Sequence, residues 1–531
     1  MSRDQAPSRG AGRPLPRLLA TAASLALAAS ASVATASVTV LQVEADGSTA
    51  TGIQYAPVEF AGSTVVTVGD VTYHALSPVA PDSTYSGHAA TVRDRLLAAD
   101  GAANPVTDIY SLTADNLLGN YVNRNPPSTT AVRPTEFGNG IKVVNNSWVG
   151  SFGWYATDLD CQRRIDYMVA REDLVWVSGA VTNDSYGSPL VWTARNGIAV
   201  RGTQGFDPGN PAYLQVGKRH ADLWGPKTAA GLDDYASFGT PGVAGYAAGL
   251  IQEAANRGWS NGTNGLRHEV VKSLLLTGAD KTATTSNGFL SWSRETVNNL
   301  DVQDGAGRAD YQKSLAVLTA GEKAEANVSA GSVVAPAVTA DTQGWVWGNV
   351  AANGQQAVVV EVSGATLSNL TATLAWDVTQ RETVAKKKRT PTLDTTDAGV
   401  IFANLDLELL PVLFDGSTYT LGDSFGITGL TSNSADDNVE HLYFTETLAA
   451  GYYAFVFSNL SGFAQDYGFA YSFDSALALS GQELLLQSAA AVSELGGLGL
   501  PSADLTAVPE PGALALLGLG AVGLLRRRRT V

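Results

Sequence analysis

Residues 235–248 read Tyr235-Ala236-Ser237-Phe238-Gly239-Thr240-Pro241-Gly242-Val243-Ala244-Gly245-Tyr246-Ala247-Ala248. The run of small and apolar residues predicts a helix over Thr240–Ala255 that packs closely through Gly and Ala, with Ser237 just ahead of it. A hydroxyl in that position lies near the unpaired N–H groups and the positive end of the helix dipole, which stabilise a developing oxyanion. Taken alone, the serine reads as readily as a helix cap. Its surroundings in the chain decide between the two.

Outward from this helix, residues 37–321 alternate short apolar runs with helical segments. Strands are expected at Val38–Val43, Ile141–Asn145, Leu174–Val177 and Gly197–Val200, and helices at Ala89–Ala98, Leu159–Ala170 and Leu266–Leu276. That alternation predicts an α/β domain with a largely parallel sheet flanked by helices. From 322 to 478 the composition shifts to Val, Thr, Ala, Gly and Asn, with period-2 runs at Ala357–Val362, Ala372–Trp376, Leu442–Thr447 and Tyr452–Phe457. Turn-forming clusters separate these runs, so this part is expected to be an all-β sandwich domain. Residues 479–507, rich in Ala, Leu, Ser and Gly, read as a linker. The basic run Lys386-Lys387-Lys388-Arg389 reads as a solvated loop. Trp345 and Trp347 alternate along a strand, one toward a core and one toward a surface.

Both ends of the chain read as addresses. Residues 1–36 carry Arg3, Arg9, Arg13 and Arg17, an uncharged Leu18–Ala36 stretch and a small-x-small end, the pattern of a secretory signal peptide. Residues 508–531 hold Val508-Pro509-Glu510-Pro511, an apolar Gly512–Leu525 helix and Arg526-Arg527-Arg528-Arg529. This order resembles the PEP-CTERM sorting tail of Gram-negative bacteria. The resemblance implies transient membrane insertion by the tail, processing by an exosortase-type enzyme, and delivery to the cell surface, outer envelope or extracellular matrix. The chain of 531 residues has 34 Lys plus Arg against 50 Asp plus Glu, a net charge of −16. Without residues 1–36 and the Arg526–Arg529 cluster, 26 basic residues face 49 acidic ones and the body carries −23; it carries −22 where Glu510 is removed as well. Such a body repels a nucleic-acid backbone. The single cysteine, Cys161, excludes an internal disulfide framework and reads as a packed free thiol.

Within the α/β part, the opening segment resembles the nucleophile motif Gly-Thr-Ser-Met-Ala-Thr-Pro-His-Val-Ala-Gly of the subtilisin-like serine peptidases (subtilases). Ser237, Thr240, Pro241, Val243, Ala244 and Gly245 match in register, and Ser237 falls on the nucleophile. Tyr235 and Ala236 depart from Gly-Thr, and Gly242 departs from His. A serine nucleophile needs a neutral imidazole to take its proton. Of the five histidines, His441 lies in the β part, His268 on a polar helix face, His220 in a loop and His74 in an isolated strand-like run. Ser86-Gly87-His88-Ala89-Ala90-Thr91-Val92 resembles the family's histidine helix, which implies His88 as general base; a capping or packing role is its alternative.

The family's orienting carboxylate follows an apolar strand. Here Val38–Val43 runs into Glu44, with Asp46 on the same strand face as the alternative carboxylate. The turn after Leu174–Val177 resembles the family's oxyanion turn, which implies that Asn183 donates to the oxyanion; a plain turn asparagine is the alternative. Asn145-Asn146-Ser147-Trp148 and Asp304-Gly305-Ala306-Gly307 are similar to further family segments.

The resemblance implies a subtilisin-like fold and an exported serine endopeptidase with a Glu44/Asp46–His88–Ser237 triad, acting on a protein or peptide substrate. The alternative is a catalytically impaired envelope or matrix protein of the same fold with a structural or adhesive role. Phosphate-loop, dinucleotide and His-Glu-x-x-His motifs are absent from the sequence. No cofactor is required by this chemistry and no metal site is assigned. Structural calcium would suit acidic turns such as Asp233-Asp234 or Asp436-Asp437-Asn438, without a spacing that names a site.

Overall fold

The computed structural model describes residues 37–475 apart from 46, 50–51, 80–83, 99–104, 124–131, 182–188, 203–217, 219, 227–234, 260–266, 283, 286–287, 290–291, 295, 363–366 and 384–391. The expected signal peptide, linker, sorting tail and Lys386–Arg389 loop therefore lie outside the described residues. Among those described, no helix is long and apolar enough to cross a membrane.

The strand Val38–Glu44 (β1) is the centre of an eight-stranded sheet. After the short hairpin of Gly47–Thr49 (β2) and Gly52–Gln54 (β3) come Val65–Val68 (β4), Val71–Ala75 (β5), Val106–Thr113 (β6), Ile141–Asn146 (β7), Val175–Ala180 (β8), Ile198–Arg201 (β9) and Leu223–Trp224 (β10). Their order is β10-β9-β8-β7-β1-β6-β5-β4. All neighbours run parallel except the edge pair β4 and β5. Strands covered on both faces need apolar residues at every position. In β1, Val38 and Val40 enter one core with Val143, Val177 and Val243, whereas Leu41 and Val43 enter another with Leu112, Ile165 and Met168.

The helices Gly87–Leu97 (α1) and Ala236–Asn256 (α4) supply the first core, together with His268–Thr277 (α5) and Tyr311–Thr319 (α6). Between α1 and α4 lie the one-turn Ala114–Asn116 (α2) and the long Tyr155–Glu172 (α3), and α3 supplies the second core, including the buried Cys161. The α/β layering expected from the alternating pattern is present. The strand β6, which pairs with β1 along its whole length, adds to the strands expected from the sequence.

The β part differs from the expected sandwich. Its strands Tyr419–Leu421, Ser332–Val333, Ala326–Ser329, Gln355–Val362, Gly451–Asn459 and Leu405–Phe414 pair in that order, and Leu405–Phe414 pairs again with Tyr419–Leu421. The ring is thus a closed six-stranded barrel. Short Tyr419–Leu421 closes it by bonding on both edges, which removes the free edges a sandwich would keep. Ala326, Val333, Ala357, Val359, Leu410, Val412, Ala454 and Val456 form its buried cluster.

Alternate residues of the same strands face outward. Val358, Val360, Phe455 and Phe457 pack against a four-stranded sheet of Gln343–Val350, Gln465–Ser475, Leu367–Trp376 and Val439–Phe444. The other face of that sheet meets α5 and α6. Trp345, Ala375, Val439 and Ala470 share one continuous core with Val270, Val271 and Leu274. Trp345 is fully buried and its indole N–H donates to the Leu318 carbonyl at 3.0 Å. Trp347 is half-buried.

Candidate active site

Of the candidate residues, one stands at the C-terminal end of a strand of the parallel sheet, where ligands of open α/β sheets bind, and two stand near helix starts. Glu44 is the last residue of β1 and is buried. Its Oε2 lies 2.8 Å from His88 Nδ1. His88 is the second residue of α1, and the helix is capped by Ser86, whose hydroxyl accepts the Ala89 N–H at 3.2 Å. With the cap supplied by Ser86, the imidazole is free to turn toward Glu44. Its other nitrogen, Nε2, has no hydrogen-bond partner among the described residues, and the side chain is 41% exposed against 3% for Glu44.

A residue not singled out in the sequence completes this pair. Gln42, buried two positions before Glu44 on the same strand face, donates from Nε2 to Glu44 Oε1 at 2.9 Å and to the Ala89 carbonyl at 2.9 Å. A Gln two positions before the strand-ending Glu44, on the same face of a strand rich in Val and Leu, is the available signal. Burial pushes the Glu44 carboxyl above its ordinary value, and the bonds from His88 and Gln42 oppose that shift. The bond to Glu44 raises the His88 pKa above 6.5 against the opposing effect of burial.

Helix α4 starts four residues earlier than expected. Its cap is Tyr235, which makes no side-chain capping bond, so Ser237 lies inside the first turn and does not cap. Pro241 has no N–H to offer the Ser237 carbonyl one turn back. Thr240 Oγ1 bonds the Ala236 carbonyl at 2.7 Å. The Ser237 hydroxyl has no hydrogen-bond partner among the described residues. It is not bonded to His88; the contact between the two helices at this point is Phe238, whose ring lies 5.5 Å from the His88 ring. Tyr235, 55% exposed, meets Phe238 edge-on at 6.2 Å.

Close packing fixes the start of α4 against the sheet. A Cβ on Gly179 of β8 would sit 3.2 Å from Thr240 Oγ1 and 3.4 Å from Ala236 Cβ. A Cβ on Gly242 would sit 2.5 Å from Pro226 Cγ, which accounts for glycine where the subtilase motif has histidine. Gly242→Ala is accordingly expected to destabilise the protein by about 1–3 kcal/mol through overpacking, read as a lower denaturation midpoint with an unchanged slope. Asp46 and Asn183 lie outside the described residues.

Asp173, His268 and Glu269 form a second, buried acid–histidine cluster, a grouping from which enzymatic chemistry is commonly built. His268, expected on a polar helix face, is instead covered by the β part: all ten residues of α5 are buried. Its Nδ1 lies 2.9 Å from Asp173 and its Nε2 lies 2.8 Å from Asp377. Asp437, in an acidic turn that would suit calcium, is bonded to His220 Nε2 at 2.5 Å and to Asn298 Nδ2 at 2.9 Å. Asp233 and Asp234 lie outside the described residues.

No curated protein matches the chain. Among solved structures, a lanthipeptide protease is 13% identical with a TM-score of 0.32, covering 53% of this chain and 87% of its own. The PatG macrocyclase in complex with peptide is 10% identical with a TM-score of 0.31, covering 53% and 91%. Tripeptidyl peptidase 2 is 11% identical with a TM-score of 0.29, covering 74% of this chain, which spans only 40% of that protein. The likeness to protease folds is weak and distant. At the C-terminus, residues 507–529 match the PEP-CTERM protein-sorting motif. The chain thus carries a tail that implies processing by an exosortase-type enzyme and marks it for export to the cell surface of a Gram-negative bacterium.

Proposed function

We propose that the chain is an exported serine endopeptidase in which Glu44, His88 and Ser237 act as one unit on a protein or peptide substrate. The observation that carries this reading is the 2.8 Å bond from buried Glu44 to His88 Nδ1, on a helix packed beside the one that bears Ser237. Glu44 holds the imidazole with its proton on Nδ1, leaving Nε2 as the acceptor. His88 takes the Ser237 proton as Oγ attacks the scissile carbonyl, and the Ser237 N–H at the helix start, with the Asn183 amide, receives the oxyanion. His88 then passes the proton to the leaving amine, and water releases the acyl group by the same route reversed.

Only neutral His88 can accept a proton. Activity therefore rises with pH through the His88 pKa, which Glu44 holds above 6.5. A fluorophosphonate probe tests the reading: labelling of the exported protein that is absent in Ser237→Ala supports it, and a folded, exported protein that never labels overturns it.

The second reading is an impaired member of the same fold with a structural or adhesive role. Phe238 against the His88 ring and Tyr235 beside it favour this reading, because they narrow the approach to Ser237.

A further inference from the structure

We propose that Asp173, His268 and Glu269 form a binding site for one first-row divalent cation of the zinc type, set at the seam between the α/β body and the four-stranded sheet of the β part. One ligand atom from each of the three lies within 4.8 Å of the others. His268 Nδ1 is central: Asp173 Oδ1 is 2.9 Å away and Glu269 Oε2 is 3.4 Å away. Ligands at about 2.0–2.1 Å around a tetrahedral ion stand roughly 3.3 Å apart, and these two separations straddle that value.

The Glu269 oxygen supplies the second, independent observation. Oε2 is buried and has no hydrogen-bond partner, although it faces the same imidazole nitrogen as Asp173. A single Nδ1 proton can serve one of the two carboxylates, whereas a cation serves both. Asp173 Oδ1 is held in place by the His268 backbone N–H at 2.9 Å. The nearest cationic side chains stand off, Lys142 Nζ at 3.9 Å from Asp173 and Arg267 Nε at 3.7 Å from Glu269.

Asp377 plays the part of the outer carboxylate that fixes a ligating histidine. It takes the Nε2 proton at 2.8 Å, which leaves the Nδ1 lone pair for the metal. One imidazole nitrogen with two carboxylate oxygens suits zinc and its neighbours; calcium and magnesium prefer oxygen alone. The two carboxylates neutralise the ion, and the Nδ1 proton leaves to solvent when it binds. Asp377 follows the strand Leu367–Trp376 of the β part, so the ion, through His268, tightens the hold of the body on that part.

The test uses the full chain stripped with a chelator and titrated calorimetrically with zinc chloride or calcium chloride. The expected result is one zinc equivalent and no calcium heat, with zinc affinity at least tenfold weaker in Glu269→Gln and about 10–100-fold weaker in Asp377→Asn. In zinc-soaked crystals of the unmutated protein, an anomalous peak is expected between the three side chains, a readout that needs no variant to fold. Absence of that peak, or zinc binding unchanged by both substitutions, overturns the proposal.

Discussion

Replacing Glu44 by Gln is expected to lower kcat toward a peptide substrate by about ten-thousand-fold while leaving the fold intact. The substitution keeps shape and removes a buried charge, so the packing around β1 has no reason to change. Hydrogen bonding decides the outcome. Glu44 Oε1 accepts from Gln42 Nε2, and Gln42 is itself tied to the Ala89 carbonyl. A Gln at position 44 must give its carbonyl oxygen to Gln42, which turns its NH₂ toward His88 Nδ1. That NH₂ can only donate, so Nδ1 becomes the acceptor and the ring proton moves to Nε2. The nitrogen proposed to take the Ser237 proton can then no longer accept one.

The same change removes what holds the His88 pKa up, so the acid limb of the residual pH profile should move downward. Steady-state kinetics with circular dichroism as the fold control checks this. A Glu44→Gln enzyme within tenfold of the parent would mean that the 2.8 Å bond does no catalytic work. Gln42→Leu offers the complementary measurement. It frees the Glu44 carboxyl to rotate, and should lower kcat less than Glu44→Gln does.

Local pattern made much of this legible in the sequence. The apolar run ending at Glu44, the small-residue start at His88 and the helix after Tyr235 all follow from periodicity and composition, and each fell within a few residues of the observed element. The barrel escaped because period-2 alternation is common to sandwiches and barrels; what separates them is whether an edge strand bonds on its second side. The continuous apolar runs Ala357-Val358-Val359-Val360 and Ala454-Phe455-Val456-Phe457 were a sign of strands buried on both faces.

The polar seam escaped for a different reason. His268 and Asp377 are 109 positions apart, and His220 and Asp437 are 217 apart. No local window contains both partners. A polar α5 face reads as solvated until the four-stranded sheet is known to cover it.

That seam gives the largest expected effect on stability. Asp437→Ala should cost about 3–5 kcal/mol, because it strands a buried cation without its counter-charge. His220 Nδ1 faces the Ala221 carbonyl at 2.8 Å and Nε2 faces Asp437 at 2.5 Å, so both nitrogens donate and the ring is charged. Burial alone would lower the His220 pKa, but the Asp437 charge and hydrogen bond outweigh it and raise the value above 6.5. Burial would likewise raise Asp437, yet His220 draws it well below 3.8.

The signs fix the pH window. A depressed carboxylate stabilises the fold above its ordinary pKa, and the contribution is lost as pH falls through the lower folded value. A raised histidine stabilises it below its ordinary pKa, and the contribution is lost as pH rises through the higher folded value. The gap between parent and Asp437→Ala should therefore be widest between pH 3.8 and 6.5 and narrow on either side. Urea unfolding at about pH 5.5 and about pH 9 measures it. A gap below about 1 kcal/mol at both would show the pair to be no better than a solvent-exposed one. Asp437→Asn keeps an acceptor for either His220 or Asn298 but not the charge, and should fall between the parent and Asp437→Ala at about pH 5.5.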